Sequence, residues 1–354
     1  TLRAGRSGMA KAKWEVHADE VAMLVTSTTA APLLTNVRSL DGPDGIEVGD
    51  VDEPTAHPGQ VVIDVEAAGI TFPDLLMTRG EYQMRPEPPF VPGSQVAGTV
   101  RTAPEGSDLH PGDRVAALCG LGGLAEVATA GVDATFALPD AVSFAAASIL
   151  PVNTLTAEFA FERRGRLQPG ETVLVHGAAG GVGTACIQVA KAMGARVIAV
   201  TSSPEKAEVA RRVGADEAID VDGFKDAARA LTDGRGVDVV LDPVGGDRFT
   251  DSLRSLATEG RLLVVGFAGG EIPTVKVNRL LLANTSVVGV AWGEYAFSHP
   301  GYLQEQWSRL LPLLASGAID PVVGATYPLD GTADALAALA ERRATGTLVV
   351  EPRR

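Results

Sequence analysis

Hydrophobic and polar positions follow two different rhythms along this chain. Between about residues 155 and 291, short and nearly unbroken apolar runs recur, each separated from the next by a stretch with helical spacing. Thr172-Val173-Leu174-Val175 has no polar face, as a parallel strand covered on both sides requires. Ala185, Cys186, Ile187, Val189, Ala190 and Met193 then recur at helical intervals, and Gly194 supplies a helix stop. Arg196–Val200 predicts a second strand. Ser203 and Pro204 predict the next helix start, as N-cap and first helical residue. Runs at 237–242 and 261–267 continue the alternation, and 285–291 would be the last strand. Right-handed crossovers between such units give a doubly wound parallel sheet with helices on both faces, an α/β fold.

The flanks keep another rhythm. Residues 23–154 break into short strand-like pieces punctuated by Pro58-Gly59, Pro92-Gly93 and Pro111-Gly112-Asp113, an irregular and mostly β unit. Residues 292–354 predict amphipathic helices around 303–316 and 332–343 and a closing strand at 348–350. The simplest architecture is a β-rich domain built from 23–154 plus 292–354, with a nucleotide-binding domain, 155–291, inserted. Residues 1–22 have no apolar core of a signal peptide and read as a tag remnant or disordered extension.

Length and charge narrow the classes. A chain of 354 residues is long for one core, which agrees with two domains. Acidic residues outnumber basic ones 44 to 30, and the net charge of −14 repels phosphate backbones and anionic lipid heads. Nucleic acid and membranes are therefore poor partners, and no apolar run approaches the roughly 18 residues of a spanning helix. Two cysteines, Cys119 and Cys186, make neither a disulfide framework nor a four-ligand zinc site, which points to the cytoplasm.

The glycine-rich string Gly177–Gly183 lies between a predicted strand and a predicted helix, the setting in which a backbone approaches a pyrophosphate closely. Gly180 permits the approach, Gly183 lets helix and strand pack, and Ala178 stands where the usual pattern begins with glycine. A plain tight turn is the blander alternative, which the flanking elements disfavour. After the second strand an NAD site would place Asp or Glu to hold the ribose 2′-hydroxyl. Here stand Thr201, Ser202 and Ser203, with Lys206 one turn on, which favours NADP(H). Ser203 as a cap and Lys206 as a solvated lysine are compatible with that role.

Ala68–Asp74, Arg79–Tyr82, Pro92–Gly98, Pro111–Val115, the Gly177–Gly183 string and Arg342–Gly346 follow one another in an order that resembles the medium-chain dehydrogenase/reductase superfamily. Within it the chain resembles the zinc-independent quinone oxidoreductase (zeta-crystallin-like) branch, from about Met23 to Pro352. The resemblance implies a GroES-like catalytic domain, an inserted Rossmann domain and a cleft between them with the nicotinamide at its floor. It also implies cofactor contacts at Thr71, Asp74, Thr156, Ala179, Gly180, Gly181, Val182, Gly183, Ser202, Ser203, Lys206, Gly266, Phe267 and Arg343. Thr71 stands where this branch commonly has Asn, and Val221 where some relatives have a tyrosine near the adenine. The catalytic zinc ligands of the alcohol dehydrogenases are replaced by Thr71 and Ser94, with Gln95 in place of a Glu, so no metal is expected.

Phe72, Tyr82, Asn153 and Trp292 are the candidate substrate contacts, and Thr71, Asp74 and Tyr82 the candidate catalytic groups. Tyr82 would stack on a flat ring and offer its hydroxyl to developing oxyanion charge; packing of a turn is its bland alternative. Asp74 reads equally as an N-cap, Asp242 as a cap of the next turn, and His176 and Cys186 as packing residues; Cys119 could be exposed. The expected activity is hydride transfer from NADPH to a quinone or similar conjugated carbonyl. An enone, 2-alkenal or enoyl-thioester reductase is the near alternative, and an NADPH-binding sensor without turnover the distant one. The proton donor stays open between Tyr82, Thr71 and water. An apolar edge at 285–291 points to a homodimer.

Overall fold

A computed structural model describes residues 32–50 and 52–354; the expectation for residues 1–22 lies outside them. A short antiparallel pair comes first, β1 (Leu33–Val37) and β2 (Ile46–Asp50). The chain then enters a seven-stranded sheet through its longest strand, β3 (Gln60–Gly69). Helix α1 (Phe72–Thr78) interrupts before β4 (Gln95–Thr102), β5 (Arg114–Leu118), β6 (Val127–Gly131) and β7 (Thr135–Ala137). Val61, Ile63 and Val65 alternate along β3 into a core shared with Leu75, Val96, Val115 and Leu336, the period-2 pattern of a half-buried strand. Helices α2 (Phe144–Ala147) and α3 (Leu150–Glu158) follow, the latter running on as a π-helical turn over Phe159–Gly165.

The parallel sheet begins with β8 (Thr172–Val175), α4 (Gly181–Ala192), β9 (Arg196–Thr201), α5 (Pro204–Arg212) and β10 (Glu217–Asp220). It resumes with α6 (Phe224–Ala230), β11 (Val237–Asp242), α7 (Phe249–Ser255), β12 (Leu256–Val264), α8 (Asn278–Ala283) and β13 (Ser286–Gly289). The strand order is β10-β9-β8-β11-β12-β13, all pairs parallel. Val173 and Val175 face one core with Ile187 and Leu263, whereas Leu174 faces the other with Phe224, Val240 and Leu253. Both faces are dry, which is why the strands read as apolar runs. The chain winds outward twice from β8, then returns beside it as β11, so the topological switch lies between those strands. Ligands of such sheets bind there, beyond the strands' C-terminal ends.

The chain closes with α9 (Trp292–Phe297), α10 (Tyr302–Ala315), β14 (Val323–Pro328), α11 (Thr332–Ala340) and β15 (Thr347–Glu351). β15 inserts between β14 and β3 in the seven-stranded sheet, so that sheet draws strands from both ends of the described chain. Two local expectations need correction. The 261–267 strand begins at Leu256 and stops at Val264, because 265–270 turns away to hydrogen-bond the loop after β11. The helix expected to reach 343 stops at Ala340, since Arg342 adopts left-handed backbone (φ 57°). A strand at Val323–Pro328 was not anticipated from the sequence. No helix among the described residues is long and apolar enough to cross a membrane.

Candidate active site

The turn after β8 is shaped by what cannot fit in it. A Cβ on Gly183 would stand 2.1 Å from the Gly177 carbonyl oxygen and 2.8 Å from Ala178 Cα, so only glycine lets α4 pack this closely. Gly180 is the N-cap of α4 and offers no side-chain acceptor, leaving the N–H groups of Gly181, Val182 and Gly183 without intrahelical partners. Those donors and the positive end of the helix dipole make an anion site. A strand end from far along the chain completes the loop: Gly346 N–H donates to Ala179 O at 2.7 Å, and Gly180 and Gly346 form a parallel bridge. Asn153 packs beside the same loop and donates from Nδ2 to Thr347 Oγ1 at 2.9 Å. It thus adjoins Gly181, as does a small crevice lined also by Ile149, Thr184 and Val322. Thr156 is buried one helical turn further along α3.

At the end of β9, Ser203 caps α5 by accepting from Lys206 N at 3.3 Å. Lys206 Nζ reaches Arg342 O at 3.1 Å and lies 3.5 Å from Ser202 Oγ. Arg342 Nη2 touches Ala268 O at 3.4 Å, whereas Arg343 pairs with Glu341. The loops after β11 and β12 are knitted together. Val265 N donates to Asp242 O, Ala268 N to Pro243 O and Gly269 N to Val244 O, all within 3.0 Å. Asp242 is buried and accepts from Val244 and Gly245 N–H through one oxygen, so it does hold the following turn. Gly266 and Phe267 sit on this knitted rim, with Phe267 38% exposed.

The third group surrounds α1. Thr71, not Asp74, is the N-cap; the two form a capping box in which Asp74 Oδ2 accepts from Thr71 N at 2.7 Å and from Thr71 Oγ1 at 2.6 Å. Asp74 is fully buried, and Oδ1 accepts from Gly93 N at 3.3 Å. Burial pushes its carboxyl above the usual carboxylate range, opposed by hydrogen bonds from Thr71, Gly93 and Ser94. The Thr71 hydroxyl gives its proton to Asp74, accepts from Asp74 N and stands 3.4 Å from Ser94 Oγ. Tyr82 is half-buried against Val37, Met77 and Phe90. Its phenol is pushed up by burial, then by the negative charges of Asp74 and Glu294, the latter on α9. Phe72 is half-buried against the core of the seven-stranded sheet.

Trp292 is buried, and its Nε1 donates to Gln306 Oε1 at 2.8 Å. Gln306 Nε2 in turn reaches Glu158 at 2.5 Å, and Glu158 also holds Arg309 at 2.6 Å. Trp292 therefore anchors α9 to α10 and α3. His176 is enclosed, with Nε2 2.8 Å from Ser252 Oγ and the ring edge-on to Phe224; burial depresses it to about 3. Cys186 is fully buried on α4. Cys119 is half-buried, and burial pushes its thiol up to about 12, so neither thiol is a nucleophile near neutral pH.

A β-rich sheet carrying the capping-box cluster, beside a switch-point nucleotide loop, defines a GroES-like plus Rossmann oxidoreductase architecture. Comparison with known proteins agrees. Residues 57–140 match the alcohol dehydrogenase GroES-like domain, and residues 181–316 the domain described as zinc-binding dehydrogenase. Quinone oxidoreductase-like protein 2 of Rattus norvegicus is 40% identical over 297 residues, 83% of this chain and 85% of that one. A probable oxidoreductase from Mycobacterium abscessus superposes with TM-score 0.84 at 48% identity, covering 91% and 99% of the two chains. The quinone oxidoreductase from Thermus thermophilus, solved also as its complex with NADPH, superposes with TM-score 0.78 at 38% identity, covering 90% and 99%. The chain belongs to the medium-chain dehydrogenase/reductase superfamily, among its quinone oxidoreductase-like members.

The zinc that one of those descriptions names does not fit the residues present. The two candidate ligand positions, Thr71 and Ser94, carry neutral hydroxyls 3.4 Å apart, and that of Thr71 donates to Asp74. Among the described residues no group of three or more His, Cys, Asp or Glu could hold a metal ion. A nicotinamide dinucleotide does fit: the loop that a Cβ at Gly183 would fill, the uncapped α4 start and the cation beyond β9 suit its phosphates. Reading the sequence missed Glu294, which enters only because α9 brings its charge close to Tyr82.

Proposed function

We propose that this protein is an NADPH-dependent reductase of quinones or similar conjugated carbonyls, working without a metal. The observation that carries the reading is the pairing of an uncapped helix start with the Lys206 ammonium beside Ser202, at the end of a β9 that closes on Thr201 and not on an acid. The N–H groups of Gly181, Val182 and Gly183 would hold the pyrophosphate, and Ser202 and Lys206 the 2′-phosphate, where an acid would repel it. The NADPH complex of the Thermus relative supports the same choice. Bound reduced nicotinamide would supply a hydride.

The chain's own residues do the rest. Asp74 fixes Thr71 and the Gly93–Ser94 turn, which shapes the floor beside α1. The Thr71 hydroxyl is committed to Asp74, so Tyr82 is the better donor to the oxygen that gains charge. Its raised pKa keeps the phenol protonated at neutral pH, ready to hydrogen-bond a developing oxyanion. Asp74 and Glu294 near Tyr82 disfavour a phosphate-bearing thioester, which supports small neutral acceptors over enoyl carriers. A second copy of the chain would pair along β13, the edge strand of the parallel sheet, next to Leu281 (75% exposed) and Leu282 (80% exposed) of α8. The test is initial-rate NADPH oxidation after EDTA treatment, with an ortho-quinone and a 2-alkenal in parallel. Quinone turnover with the alkenal idle supports the reading. The reverse preference makes the protein an enone reductase, and tight NADPH binding with neither substrate consumed makes it a sensor.

A further inference from the structure

The loop after β11 bends in a way that its own sequence does not demand. Gly245 has φ 66° and ψ −146°, backbone open in practice to glycine alone, and Gly246 follows with φ 71°. Asp242 imposes the bend: its Oδ1 accepts from Val244 N and Gly245 N, both at 2.9 Å. Oδ2 has no hydrogen-bond partner among the described residues, so all that this buried carboxyl grips is the loop. A buried acid with one oxygen unmatched costs stability, which asks for a use beyond the sheet. The bend makes room for a ring. A Cβ on Gly245 would stand 2.9 Å from Phe267 Cδ1 and 3.1 Å from Glu271 O, so the Phe267 ring lies against bare glycine backbone. The backbone around Phe267 is fixed too, by Ala268 N to Pro243 O, Gly269 N to Val244 O and Gly270 N to Phe267 O. Phe267 nevertheless stays 38% exposed, seated on one side and open on another. An aromatic ring held so at a crevice is a wall for a flat partner. A Cβ on Gly177 would lie 3.5 Å from the side chains of Pro243 and Val244, so this loop touches the glycine-rich turn. Ser202 and Lys206 follow β9, on one side of the switch between β8 and β11, whereas Phe267 follows β12, on the other. A dinucleotide laid across that switch with its adenosine end at β9 carries its nicotinamide toward Phe267.

We infer that Asp242 is a positioning residue of the reduction: through Gly245 it seats the Phe267 ring as the wall against which nicotinamide and a flat acceptor are aligned. The inference rests on the NADPH reading above. Asp242 itself is buried beneath the loop and acts only through the ring.

Steady-state reduction of phenanthrenequinone by NADPH, with the full chain, tests it as a double-mutant cycle. Phe267→Ala should lower kcat about tenfold, the scale of a well-packed aromatic contact. Asp242→Ala should lower it comparably. Asp242→Asn keeps an acceptor oxygen for the two N–H groups and should stay within about threefold of wild type. Added to Phe267→Ala, Asp242→Ala should cost less than about twofold more, because the ring it seats is gone. Affinity for adenosine 2′,5′-bisphosphate, which reaches only the far half of the crevice, should be unchanged in every variant, whereas a general loosening of the sheet would weaken it. Gly245→Ala, whose methyl displaces the ring directly, replaces Asp242→Ala in the cycle should that variant not fold. Three results overturn the inference and leave the cofactor reading intact: losses that multiply to about a hundredfold in the double variant, equal damage from Asp242→Asn and Asp242→Ala, or weakened bisphosphate binding. A wild type that oxidises no NADPH overturns the cofactor reading, and the inference with it.

Discussion

Replacing Gly183 by alanine isolates the demand that the nucleotide loop makes on the chain. The new Cβ would lie 2.1 Å from Gly177 O, whereas a close carbon–oxygen contact is about 3.3 Å. The α4 start or the loop must therefore separate by roughly 1 Å. Both clashing partners are backbone atoms of the loop, so no flexible side chain can absorb the strain. Overpacking costs about 1–3 kcal/mol, and a backbone clash belongs at the upper end, about 3 kcal/mol. For a chain of 354 residues that is a melting-temperature loss of roughly 4 °C. The displaced N–H groups should also lose at least about tenfold in NADPH affinity, about 1.4 kcal/mol. Gly180→Ala is the control, since its Cβ would stand 3.4 Å from Gly177 O, ordinary contact. It should melt within about 2 °C of wild type, a sub-kcal/mol change, yet bind NADPH more weakly if phosphate approaches Gly180. Thermal melts and fluorescence titration read both quantities. A Gly183→Ala protein that melts and binds like wild type would refute the steric reasoning.

Other outcomes follow from the same geometry. His176 titrates at about 3 in the fold against 6.5 in the unfolded chain, so the unfolded state binds more protons between those values and stability falls as pH drops through that window. By urea unfolding, wild type should lose about 3 kcal/mol relative to His176→Gln between pH 7 and pH 4, and parallel pH profiles would contradict this. Asp74→Asn places an amide against the N–H groups of Thr71 and Gly93 and should cost about 2–3 kcal/mol in the same assay. Tyr82→Phe should lower quinone turnover about 10–100-fold with NADPH affinity unchanged; an unaltered kcat would remove Tyr82 from the reaction. Leu281→Asp with Leu282→Asp should give a monomer by light scattering if β13 and α8 join two copies.

The parallel sheet was legible because its strands are dry on both faces, and Val173-Leu174-Val175 has no other good home. The helix start at Ser203 was legible for a local reason: a side-chain cap needs only the next three residues. What the sequence hid is what depends on distant partners. Asp74 reads as a cap until Gly93, 19 residues on, is seen to donate to it, whereupon Thr71 takes the cap and Asp74 its buried counterpart. Trp292 reads as a candidate substrate contact until Gln306, itself held by Glu158, is seen to accept from its N–H.

The position of β15 also bears on how the protein is made. Its residues Val349 and Val350 pair with Gly69 and Ala68 of β3, and its approach carries Gly346 onto Gly180. A ribosome delivers β3 early and β15 only after every strand of the parallel sheet, so the inserted sheet has all its own partners while β3 still waits for one neighbour. One segment thus both completes the β-rich sheet and braces the glycine-rich loop, so a chain truncated before Thr347 would lack a neighbour for β3 and the strand that follows the Gly346–Gly180 bridge.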